Sequence, residues 1–354
     1  MVRACVHTPV TDRPVDSART DSARTIHLPV AARPSISDIV SLAQQAENRG
    51  YRRAWLPETW GRDAPTVLSA IAERTDEIGI GPSILNVYSR SPALVGQTAA
   101  TLQELSGGRM RLGVGPSGPA VIEGWHGQGF ERPLRRTREY VDIVRKVLSG
   151  ETVDYAGDIF TVGGFRLRSD PPEDPVPIDA AGMGPKSVEL AGRFADGWHA
   201  LLLTPDGVRD RLEDLRRGAE LGDRDPEEVR VTLSLTCAAL EDGQRARDLA
   251  RQHLAFYVGA MGTFYREALS RQGYEETAEA VATAWGSGDR EAALAAIDDE
   301  LLRDLGAVGT PEEAREDLER FEEIDGVDRV AVSFPRGAEQ DELEATIDAL
   351  APDA

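Results

Sequence analysis

Cysteine is almost missing from this chain: among 354 residues only Cys5 and Cys237 carry thiols. Two cysteines so far apart exclude a disulfide framework, and neither has the Cys-x-x-Cys or Cys/His spacing that holds zinc. Lysine is as scarce, with Lys146 and Lys186 the only two among 40 cations, the rest being arginine. Against them stand 61 acidic residues, for a net charge of −21. A surface of that sign lacks the positive footprint of non-specific nucleic-acid binding. It suits a soluble protein of high-salt surroundings, where screening relieves self-repulsion, and equally an acidic enzyme from a GC-rich genome. No run approaches the roughly 18 apolar residues of a membrane span, and the N-terminus has no apolar signal-peptide core, so the cytoplasm is the expected compartment.

Several catalytic signatures are missing too. The five histidines, His7, His27, His126, His199 and His253, form no His-x-His or His-Glu-x-x-His pair, so no metal site is expected. There is no Gly-x-Ser-x-Gly elbow and no P-loop, which removes the usual machinery of acyl transfer and nucleotide hydrolysis.

What is present is globular in composition, 41% hydrophobic and 29% charged. The length admits two average domains or one large α/β barrel, which runs to about 250 residues before insertions. Near the start, Asp16–Thr20 and Asp21–Thr25 repeat the same five residues in a polar, Pro-containing stretch. Residues 1–24 therefore read as a disordered tail, and residues 25–354 as one domain.

Eight short β-rich runs follow: Ile26–Val30, Arg53–Pro57, Ile78–Leu85, Met110–Gly115, Val176–Ala180, His199–Leu203, Val229–Thr236 and Arg329–Phe334. Between them lie amphipathic stretches such as Ser37–Arg49, Pro92–Leu105, Leu134–Leu148 and Pro205–Glu220, several closed by glycine. Strand–helix alternation on this scale implies a parallel sheet, and eight strands close naturally as a (β/α)8 TIM barrel. A doubly wound open sheet is the alternative. Residues 116–175 and 239–305 exceed ordinary connections and read as insertions after the fourth and seventh strands, on the face where barrels build their sites. In the second, Gln244–Tyr257 and Glu291–Leu305 are the clearest helices. The two insertions suit one shared pocket or a dimer surface.

Four stretches carry candidate chemistry. Gly113-Val114-Gly115-Pro116-Ser117-Gly118 matches G-x-G-x-x-G, yet loop rather than helix follows, so it is no dinucleotide fingerprint. Its glycines still let a flat ring or an anion approach the backbone. Ala181-Gly182-Met183-Gly184-Pro185-Lys186 opens a helix with bare amides beside one of the two lysines, an arrangement suited to an anion and also to a plain turn. Gly81-Pro82 interrupts the third strand before Ser83, Ile84, Asn86 and Tyr88, as a bulge at a barrel mouth does. Past the second strand, Glu58 stands where barrels keep catalytic groups and Trp60 offers a stacking wall, although Glu58 as an ion-pair partner of Arg62 reads as well.

Together these stretches resemble the luciferase-like superfamily, in the branch that uses the deazaflavin coenzyme F420 and includes methylenetetrahydromethanopterin reductase. The resemblance runs from about Thr25 to Ala349. Its most specific pieces are Gly81 to Pro92, Leu105 to Arg109, Gly113 to Pro116, Gly182 to Lys186, and Glu189 to Trp198. It implies a barrel with a large insertion between strands seven and eight, a homodimer or higher homo-oligomer, and hydride transfer to or from a small organic substrate, such as a one-carbon carrier. It further implies a cis peptide at Ser83–Ile84 backing the ring, with Asn86, Gly115, Pro116 and Ser117 near the ring system. The loop Ala181, Gly182, Met183, Gly184, Pro185 and Lys186 would face the cofactor's phosphate. Glu58 matches a family Asp near the cofactor, as a proton donor or cofactor contact. Two departures stand out: Ser117-Gly118 replaces an acidic residue of pterin-reducing relatives, and Leu28-Pro29 replaces a first-strand carboxylate. FMN in a monooxygenase of the same superfamily is the alternative cofactor and activity, and a non-catalytic flavin-binding barrel is the third reading.

Overall fold

The structure is a computed structural model that describes residues 24–29 and 35–352. Apart from Arg24, the expected tail lies outside these residues, as does Val30. Arg24 itself is anchored: its guanidinium meets Glu322 at 2.8 Å and donates to the carbonyls of Leu350 and Ala351. The folded part thus includes a residue that the sequence reading gave to the tail.

Eight parallel strands form the barrel: Thr25–His27, Arg53–Leu56, Gly79–Asn86, Leu112–Gly115, Ile178–Ala181, Gly197–Leu201, Arg230–Ala239 and Arg329–Ser333. The third is in two pieces, Gly79–Pro82 pairing with the second strand and Leu85–Asn86 with the fourth. Between the pieces the Ser83–Ile84 peptide is cis, where the resemblance put it. Ile80 completes the circle, donating to Arg109 O and accepting from Arg111 N, each at 3.0 Å. The sheet is thereby closed rather than doubly wound. A further strand, Gly306–Gly309, pairs with Thr236–Ala239, because the seventh strand outruns the barrel and leaves an edge to cover.

The outer helices follow local rules. Ser35 caps Ile36–Asn48 through Asp38 N and receives Asp38 in return, while Pro92, Pro133, Pro185, Pro205 and Pro311 each occupy a first turn where their missing N–H costs nothing.

The insertions need redrawing. Pro133–Leu148, inside the stretch expected as the first insertion, is the barrel's own helix, so the added material lies on either side of it. After it comes an antiparallel hairpin, Val153–Ala156 with Thr161–Phe165, whose turn is pinned by Glu139 accepting from the amides of Asp158, Ile159 and Phe160. In the second insertion the expected helix Glu291–Leu305 is two, Arg290–Ala295 and Asp299–Leu305, because Asp298 caps a new start on Leu301 N. Two helices, Thr263–Ser270 and Glu275–Ser287, were not singled out from sequence.

Period-two alternation turns one set of strand residues outward onto the helices and the other into the lumen. Ile26, Leu56, Val114, Ile178, Leu233 and Val332 are fully buried in the outer set. The lumen instead holds His27, Trp55, Arg111, Asp179 and His199. Room for them comes from glycine. A Cβ at Gly81 would lie 2.5 Å from the Trp55 ring and 2.3 Å from Arg111 O, and one at Gly113 would lie 2.4 Å from Pro82 O and 3.3 Å from His199 Nε2.

Candidate active site at the barrel mouth

At the C-terminal ends of the strands the lumen opens. The inward residues Ser83, Ala181, Leu201, Ser234, Thr236 and Ser333 are only half-buried, whereas Trp55, Asp179 and His199 one layer deeper are buried. Register sets the exits of the third, fourth and fifth strands side by side, Asn86 beside Gly115 and Val114 beside Ala180. A Cβ on Gly115 would approach Ala181 Cβ to 3.2 Å and Ile84 Cγ1 to 3.4 Å, so Ile84, Gly115 and Ala181 meet on one floor. Pro116 and Ser117 continue from Gly115, and Ser117 takes φ of 58°, which swings the chain outward into the short helix Pro119–Gly124. Asn86 is buried; its Oδ1 accepts from Tyr88 N and Ser89 N, and its Nδ2 stands 3.3 Å from His126 Nε2.

The wall above this floor comes from both insertions. Tyr88 stacks on Phe130 at 5.4 Å between ring centroids, and Phe130 meets Phe264 at 5.9 Å. Gln272 of the second insertion accepts from Thr204 N and donates to Leu202 O, tying the sixth-strand exit down. The two insertions therefore meet beside the mouth.

Under the floor lies a polar chain. Ser83 Oγ stands 3.2 Å from His199 Nδ1, and His199 Nε2 stands 3.2 Å from Asp179 Oδ2. This last contact is off the straight hydrogen-bond line, so the two groups face each other without an aligned bond. Arg111 grips both Asp179 oxygens at 2.6 Å and also donates to Asp196 O. Burial opposes the Asp179 anion, but Arg111 and His199 outweigh it and hold the carboxyl well below the usual range. His27, 3.2 Å from Ser234 Oγ, is pushed down to about 3 by burial and by neighbouring His199, which keeps it neutral. Trp55 packs edge-on to His199 at 4.5 Å.

The expected site residues fall into two groups. Ser83, Ile84, Asn86, Gly115, Pro116, Ser117, Ala181 and Gly182 line adjacent strand exits, with Gly182 O held by Trp198 Nε1 at 2.9 Å. Met183 and Gly184 lead to the helix Pro185–Phe194, where Gly184 N donates to Ser187 Oγ. Lys186 does not reach back over this loop: 72% exposed, it pairs with Glu189 at 2.9 Å. Glu58, 7% exposed, is held by the Arg90 fork and also accepts from Ala64 N at 2.9 Å. Arg90 binds Asp63 as well, and Trp60 is 45% exposed. Sequence reasoning missed Arg111, Asp179 and His199. The available signal was a charged residue inside an otherwise apolar strand core, Asp179 between Ile178 and Ala180.

Two other clefts lie elsewhere: one of about 280 Å³ at the strand N-termini by Arg111, Asp196 and Arg230, and one of about 470 Å³ by Phe256, Trp285 and Arg336. The mouth is the better site because separate strand exits converge there, as in barrels generally. Its residues fit a flat ring: a small apolar floor where Ile84 and Ala181 close on Gly115, which has no side chain of its own, and an aromatic wall.

Comparison with known proteins agrees in fold and family. The Methanopyrus kandleri coenzyme F420 dependent tetrahydromethanopterin reductase structure superposes with a TM-score of 0.81, covering 94% of this chain and 97% of its own at 24% identity, which shows the shared fold. A Mycobacterium tuberculosis protein provisionally named a coenzyme F420-dependent oxidoreductase is 33% identical, over 86% of this chain and 93% of its own length. The 5,10-methylenetetrahydromethanopterin reductase of Archaeoglobus fulgidus is 30% identical over 83% of this chain and 89% of its own. The model of the luciferase-like monooxygenase family matches residues 16–328, and with a closed barrel, a long insertion after the seventh strand and this mouth, the chain belongs to that family.

Proposed function

We propose that this protein is a coenzyme F420-dependent oxidoreductase that transfers hydride between the deazaflavin and a small organic substrate. The observation that carries the reading is the small apolar floor where Ile84 and Ala181 close on Gly115 at the mouth, in a chain with a relative whose name carries that cofactor. When bound, F420 supplies a hydride from the ring carbon that replaces flavin N5. The protein's part is to orient, to exclude water and to manage the proton. Ser83, Ile84, Asn86 and the Gly115–Ser117 turn would support the ring, with Trp60 at its edge. The Ala181–Lys186 loop would take the phosphate through its amides, Lys186 adding long-range charge. Glu58, fixed by Arg90, would hold the second-strand exit against the cofactor. A methylene-bearing reduced pterin is the first substrate to try.

A screen of F420, FMN and NADPH tests this. F420 should be quenched in fluorescence on binding and should raise the melting temperature; if it does neither, the reading is wrong. The family description favours one second reading, an FMN-dependent monooxygenase, which preferential stabilisation by reduced FMN with oxygen uptake would support. Among the described residues no helix is long and apolar enough to cross a membrane. Light scattering would check the proposed homo-oligomer.

A further inference from the structure

We propose that Ser83, His199 and Asp179 form a proton relay beneath the barrel mouth: the Ser83 hydroxyl exchanges a proton with a heteroatom of the bound molecule, and His199 restores it. This deepens the redox reading and rests on it for the reaction served.

The chain of contacts runs inward from the mouth. Ser83 is half-buried at the opening, and His199 and Asp179 are buried behind it. Arg111 terminates the chain, since a guanidinium keeps its protons. With Asp179 held as an anion, the proton of His199 belongs on Nε2, which faces that carboxylate. Only Nδ1 is then free to change state, and Nδ1 faces Ser83. In the neutral state the serine hydroxyl donates to Nδ1. In the charged state Nδ1–H donates to Ser83 Oγ, and the hydroxyl hydrogen turns toward the mouth.

The transfer balances. The Ser83 O–H bond breaks as the heteroatom gains its proton, the Nδ1–H bond breaks as serine regains one, and imidazolium becomes imidazole. No electrons move, and the reverse returns the proton. The charged and titratable groups around His199 and its Asp179 partner are His27 on the first strand, Arg53 on the second, Arg111 just ahead of the fourth and Asp179 on the fifth. His27 is kept neutral by burial and by His199 itself.

Two measurements on the full chain test the relay. Imidazole ¹⁵N NMR of the ligand-free protein, with His199 assigned by its loss in His199→Gln, should show the Nε2–H tautomer in its neutral form. An Nδ1–H tautomer would overturn the proposal. Calorimetry of F420 binding, run to saturation in buffers of different ionisation enthalpy, should reveal net proton exchange per bound F420 that Ser83→Ala abolishes. Equal proton exchange in both proteins, or none in the wild type, would also overturn it. Absence of any F420 binding would sink the redox reading alone, because the tautomer experiment judges the relay without cofactor. Asp179→Asn, if it folds, should give a mixed tautomer.

Discussion

On their outer face the barrel strands present Ile26, Leu56, Ile178 and Leu233 to the helices, whereas on their inner face they present His27, Trp55, Arg111, Asp179 and His199 to one another. Both faces are buried, but by different physics. Outward contacts are non-directional and scale with apolar area, so a side chain of similar volume substitutes for another at small cost. Inward contacts are pairwise: each charge depends on a named partner, and removing one strands the other without solvent. The shell therefore sets how stable the barrel is, and the lumen sets what it can do.

The comparison is most severely tested by single truncations. Phe321→Ala in the shell should cost about 3–5 kcal/mol in denaturant unfolding, with F420 affinity unchanged in the folded fraction. Asp179→Ala in the lumen should cost a similar 3–5 kcal/mol by leaving Arg111 uncompensated. The pair should then diverge. Arg111→Met with Asp179→Leu together should recover most of that loss while the proton exchange on binding stays absent. If the double variant is no more stable than the single one, the lumen is held by shape and not by charge pairing.

Acid should break the lumen before the shell. His27 titrates near 6.5 unfolded and is pushed down to about 3 in the fold, so the unfolded chain takes up its proton first as pH falls. That difference removes stability progressively below pH 6.5 and amounts to about 3 kcal/mol by pH 4. His253, down to about 4 through burial and Arg336, acts in the same direction. Urea midpoints at pH 7 and pH 5 should differ accordingly, and His27→Asn should flatten the dependence. The smallest effect belongs to the exposed Lys186–Glu189 pair: Lys186→Ala should change stability by less than about 0.5 kcal/mol. A modest weakening of F420 binding that fades with added salt would give Lys186 its long-range role, and salt-independent binding would deny it.

Legibility followed the range of the interactions. All eight barrel strands were readable because each is a short apolar run bounded by turn residues, and helix starts because Pro and Ser signals are local. Gly306–Gly309 escaped, since its strand character comes from the free edge of the seventh strand and not from its own residues. The cis Ser83–Ile84 bond was legible only through family resemblance. Glu58 stands at the strand end where the sequence put it, yet its partner Arg90 is 32 positions away, beyond the reach of any local pattern.

The amino-acid order alone determined the eight barrel strands, the barrel class and the acidic character, because these depend on periodicity, caps and counts. Only the closed cylinder decided the rest. Arg111 and Asp179 are 68 positions apart, and Ser83 and His199 are 116 apart. Such pairs meet because parallel strands carry their inward side chains to a common height, and that height is set by register, which no local stretch of chain encodes.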